Sequence, residues 1–168
     1  MAALQRERRQ PIRRTLQLSI LRAVLDATGQ PPIQTHARLA TVSDVVRVVV
    51  HYFDGRSRDS VGTLFCTRTG AYVELRYRDA LTGRPLTYPL PETRPSLLLT
   101  ALRSAGFDKL GDQDPLPKYD ASDVWMVERA AGAFAHGLVV APDLAEVGYA
   151  EIVRAIQQHL PEVLRPLR

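Results

Sequence analysis

Residues 45–53 read VVRVVVHYF, and this run limits the fold more than any other stretch of the chain. Its β-branched and aromatic side chains have little χ1 freedom left to lose and fit a pleated surface better than a helix. A strand is therefore expected, closed by the turn signal Asp54-Gly55. Two more strands follow, Val61 to Thr67 and Ala71 to Asp79, the latter beginning just past Gly70. In the third, Ala71, Val73, Leu75 and Tyr77 alternate with Tyr72, Glu74, Arg76 and Arg78, as they do in a strand with one wet face. If residues 80–83 turn the chain, Tyr77 faces Leu86, Leu75 faces Tyr88 and Val73 faces Leu90, with Gly83 supplying a positive φ. A slip of one residue would instead bury Pro85, Thr87 and Pro89.

The first strand has an apolar set (Val46, Val48, Val50, Tyr52) and a mixed set (Val45, Arg47, Val49, His51, Phe53). Placing the mixed set on the same open face as Tyr72, Arg76 and Arg78 gives a surface of arginine and aromatic side chains. On that surface Arg47, Arg76 and Arg78 would contact phosphates, and Phe53 and Tyr72 would stack on unpaired bases. The bland counterpart is a solvated face on which Glu74 pairs with Arg76 or Arg78.

Around this sheet the chain reads as one α+β domain spanning 15–168, preceded by a basic tail, 1–14. The apolar positions Ile12, Leu16, Ile20, Leu21, Val24 and Leu25 predict an amphipathic helix from about Arg13 to Thr28, ended by Gly29 and the prolines at 31 and 32. Gln30 to Ala40 reads as a linker and Pro91 to Pro95 as a connector. Ser96 to Ala105 is expected as a helix over the apolar face of the sheet, with Gly106 at its end. Phe107 to Asp123 reads as a polar, acidic loop that lacks the Gly and Glu spacing of a calcium loop. Val124 to Ala130 and Phe134 to Ala141 are expected as strands around Ala131-Gly132, followed by a helical region from Pro142 to Leu164 that Pro161 breaks. The fold class is thus α+β: an antiparallel sheet of five to six strands, covered on one face by helices, in two strand-then-helix units.

The chain of 168 residues has a net charge of +4, but Arg6, Arg8, Arg9, Arg13 and Arg14 against Glu7 place all of it in the tail. The single cysteine, Cys66, excludes an intramolecular disulfide and points to a reducing, cytoplasmic setting. The apolar stretch Leu16 to Leu25 is broken by Arg22, so neither a signal peptide nor a membrane span is expected. His51 and Cys66 could pair as base and nucleophile only if they shared a face, and a buried structural cysteine is the preferred reading. His36, His136 and His159 lack metal-ligand spacing, the glycines form no phosphate loop, and no cofactor is expected.

The element order, strands then a helix and again strands then a helix over about Val45 to Leu164, is similar to the Whirly family of single-stranded DNA binders. In that family a sheet face presents to nucleic acid and a helix packs behind each sheet. The second half of this chain has two strands and a helix precedes the first strand, both departures from the family. No functional residue is carried over. Together these readings give a non-catalytic binder of single-stranded DNA or RNA, with homodimerisation among the expected partnerships. The alternative is a protein-interaction or homodimerising scaffold module.

Overall fold

The computed structural model of the chain describes residues 16–167. The basic tail and the predicted start of the first helix, from about Arg13, lie outside them. Helix α1 runs over 16–27 and a short α2 over Ile33–Ala37. Strands β1 (Val42–His51), β2 (Ser60–Thr67), β3 (Gly70–Tyr77) and β4 (Leu86–Leu90) follow, then α3 (Thr93–Ser104), β5 (Val124–Ala131), β6 (Phe134–Val140) and α4 (Gly148–His159). One antiparallel sheet holds all six strands in the order β4-β3-β2-β1-β5-β6. The α+β class, the antiparallel sheet and the two strand-then-helix units are as the sequence predicts. The likeness to the Whirly family stops at element order, because a single sheet contains every strand.

Helices lie on both faces of this sheet, which corrects the expectation of a single covered face: the reverse face carries enough apolar side chains to bury α1 and α2. Val46, Val48, Val50, Leu64, Val73, Trp125, Val127, Leu138 and Val140 point to α3, α4 and the turn Pro161–Leu164, in one cluster with Leu98, Leu102, Ile152, Ile156 and Val163. On the reverse face Val49, Val61, Val124, Met126 and Val139 pack under Leu21, Val24 and Leu25 of α1. Val45, Phe65 and Ala130 pack under Ile33 and Ala37 of α2. The stretch read as a linker thus holds a one-turn helix whose two apolar residues, four apart, fall on one side. Gly62 lets the C-terminal turn approach the sheet: a Cβ there would lie 2.1 Å from Val163 Cγ1 and 3.1 Å from Val163 Cα.

Further sequence expectations shift. The helical region expected from Pro142 holds only the short turn Pro142–Leu144 before α4 begins at Gly148, because Val147 at φ 50° interrupts it. Leu75 faces Leu86, Val73 faces Tyr88 and Ala71 faces Leu90, two residues from the predicted register. The strand ends early because Asp79 takes φ 58°, one residue past the Arg78 N–H, whose bond to the Asp59 carbonyl (2.8 Å) is the last of the β2–β3 pairing. A two-residue slip keeps every side chain on its face, so the apolar set remains buried. Helix α3 starts at Thr93, with Pro95 inside its first turn, where the missing N–H costs no hydrogen bond.

Candidate interaction site

The expected Arg and aromatic face exists as a set of positions but not as an open surface. Arg47 stands directly across from Glu128 in the β1–β5 pair and is 1% exposed. Its Nε donates to Glu128 (2.7 Å) and its Nη1 to the Pro31 carbonyl (2.7 Å). An arginine so enclosed by sheet and connector cannot reach a phosphate, which corrects its assignment as a contact residue. Tyr72 stacks on Phe65 at 5.1 Å, and His36 of α2 meets the other partner edge-on, also at 5.1 Å from Phe65. Burial raises the Tyr72 hydroxyl pKa, and the Glu74 charge adds to it.

Arg76 donates through Nη1 to the Gly83 carbonyl (3.2 Å) and lies 3.8 Å from Glu74. Arg78 lies 3.7 Å from Asp59 and 3.9 Å from Asp79. Phe53, 39% exposed, sits past the end of β1, with its N–H on Asp123 (3.3 Å). Tyr72 is level with Phe65 and Val45, eight residues from Phe53. At about 3.3 Å per residue the two rings are roughly 25 Å apart along the sheet, so they do not form one stacking platform.

His51 and Cys66 do not share a site. Cys66 pairs with Asp44 and Ala71 and packs toward the α3–α4 cluster. Asp44 is seven residues from His51, which places Cys66 roughly 23 Å away, and His51 points to the reverse face with Val49. There its Nδ1 meets Asp59 at 2.9 Å, and Asp59 also accepts the Tyr52 N–H (3.0 Å). Burial pushes the Cys66 thiol up to about 11, with Asp44 adding to it. The acidic loop has structural duties: Asp123 holds the Arg56 guanidinium, Asp108 approaches Arg129 (3.5 Å), and Asp112 accepts the Val139 N–H (2.9 Å).

A feature that sequence patterning missed lies beside that loop. A cleft of about 600 Å³ opens between residues 110–117 and the segment 144–149. Its apolar walls are Leu110, Pro115, Leu116, Pro117, Leu144 and Val147, and Asp114 and Glu146 also line it. The walls are tied down from several sides. Gln113 donates to the Leu144 carbonyl (2.9 Å) and accepts the Ala141 N–H (2.8 Å). Tyr149 donates to the Gly111 carbonyl (2.9 Å), and Gln17 of α1 donates to the Pro117 carbonyl (2.8 Å). Leu144 and Val147 are 56% and 89% exposed. Val147 has φ 50° and ψ −123°, a backbone region unfavourable to a β-branched residue. The one hint in the sequence is Leu116 between two prolines in an otherwise polar loop. No protein-family model matches the chain, and no curated protein matches it in sequence.

Proposed function

We propose that the protein is a non-catalytic interaction module that holds an extended segment of a protein partner in the cleft beside α4. The observation that carries this reading is the exposure of Leu144 and Val147 on the rim of an apolar cleft of about 600 Å³, a size and lining typical of preformed ligand sites. Large apolar side chains gathered at a concavity, rather than scattered singly, mark interaction surfaces. No helix among the described residues is long and apolar enough to cross a membrane, and a cytoplasmic setting remains part of the proposal, on the single cysteine.

Single-stranded nucleic acid is the rival ligand. Of the 22 Lys and Arg, five fall in residues 1–15 and one is Arg168, leaving 16 against 17 of the 18 acidic residues over 16–167. That body lacks the positive excess that draws phosphate, and Arg47, Arg76 and Arg78 already face carboxylates.

The test is peptide selection on the full chain, followed by anisotropy titrations of the selected peptides and of a labelled oligothymidylate across a salt series. Apolar peptides are expected to bind, and Leu144→Glu to weaken them at least about tenfold, as loss of a buried anchor does. Peptides indifferent to Leu144→Glu, or tight and steeply salt-dependent oligonucleotide binding abolished by Arg76→Ala/Arg78→Ala, would overturn the reading.

A further inference from the structure

The cleft has a charge as well as an apolar lining. Asp114 and Glu146 are the ionisable carboxylates among its described lining residues, one on each wall, and among the described residues no lysine or arginine lines it. Both are exposed, and among the described residues neither makes an ion pair. Asp112 and Asp143 stand beside the two walls in sequence, with Lys118 just beyond the loop. The start of α4 contributes about half a positive charge, which two full carboxylates outweigh.

Resting on the interaction-module reading, we propose that the partner segment is basic: an extended peptide whose apolar side chains enter between Leu116 and Leu144, flanked by arginine or lysine that meet Asp114 and Glu146. The apolar walls supply the area, and the carboxylates select by sign. Charge at a rim acts mainly on specificity and on the rate of encounter. An acidic segment of equal hydrophobicity would leave two like-charged pairs at the mouth, and that repulsion separates the two ligand classes.

The experiment uses the full chain and two labelled peptides, acetyl-Arg-Leu-Arg-Arg-Leu-Arg-amide and its counterpart with glutamate at every arginine, titrated at low and at high ionic strength. The arginine peptide is expected to bind at least about tenfold tighter at low salt, with the gap narrowing as salt screens the rim. In Asp114→Asn/Glu146→Gln the preference should fall below about threefold, and an unchanged melting temperature would show that the variant is folded. Equal affinities, or a preference for glutamate, overturn the basic-partner inference while leaving the cleft reading intact. Failure of every selected apolar peptide overturns the cleft reading itself. A peptide copying residues 1–14 runs beside them. If it binds tighter than the arginine peptide, and the chain self-associates at the same concentration, the occupant is a second copy and assignment to a separate partner is overturned.

Discussion

Arg47 and Glu128 face each other across the β1–β5 pair with Nε 2.7 Å from the carboxylate, and the two are unequally enclosed: their side chains are 1% and 18% exposed. Removing one partner of such a pair leaves a buried charge without its counter-charge, at a cost of about 3–5 kcal/mol. The exposures set which loss is larger. Glu128 can regain water when Arg47 is lost, whereas Arg47 cannot when Glu128 is lost. Glu128→Leu is therefore expected to destabilise more than Arg47→Met, and the double variant to recover most of the loss. Urea unfolding of the three variants checks this, and additive losses would contradict it.

Val147 holds an unfavourable backbone geometry while exposing an apolar side chain at the cleft. Val147→Gly should relieve that strain and raise stability by about 0.5–2 kcal/mol, since glycine tolerates positive φ. The same substitution removes a cleft-lining group, so peptide affinity should fall as the midpoint of unfolding rises. Measuring both in one variant separates a strained residue kept for binding from one that is merely tolerated.

His36 is titrated by its surroundings in a known direction. Burial lowers its pKa below the ordinary 6.5, with the Arg47 and Arg76 charges acting in the same sense. Its Nε2 has no hydrogen-bond partner among the described residues. The unfolded chain then binds this proton more readily than the folded one, so stability is fully present above 6.5 and declines as pH falls through and below that value. His36→Leu should flatten this part of the stability profile, read by urea unfolding at pH 7.5 and pH 5. An unchanged slope would show that other groups carry it.

Cys66, raised to about 11 from an ordinary 9.0, should be a slow nucleophile. At pH 8 the folded protein holds about a hundredfold less thiolate than the unfolded chain, and thiol reagents act through the thiolate. Reaction with an aromatic disulfide reagent should therefore be slower by about that factor in native protein than in urea. Equal rates would mean that the thiol is neither buried nor shifted.

The strands were legible because their signal is local: β-branched runs at 45–50 and strict alternation at 71–77 survive even a two-residue error in register. The covering of the reverse face was not. Arg47 reads as a solvent residue until β5 is placed beside β1, because Glu128 is 81 positions away in sequence. Val45 and Val49, on either side of Arg47, were the available warning that this face is half apolar. The α2 turn is too short to show a helical period. The cleft joins 110–117, which has no periodic pattern, to 144–149, where helical spacing puts Leu144 and Val147 in a helix that starts only at Gly148, so the tertiary hydrogen bonds of Gln113, Tyr149 and Gln17 are what reveal it.

Those hydrogen bonds have one more consequence, at the margin of the sheet. Asp112 accepts the Val139 N–H, while Gln113 donates its own N–H to the Val139 carbonyl (2.8 Å) and accepts from Ala141, so the loop behaves as a seventh rung laid along the outer side of β6. At the opposite margin β4 carries Pro89, which has no N–H to offer an incoming strand. The loop that walls the cleft is therefore also a guard against fibre growth. A ligand that pried it outward would uncover a strand able to template other copies, so how the cleft is filled bears on whether the β6 margin stays covered.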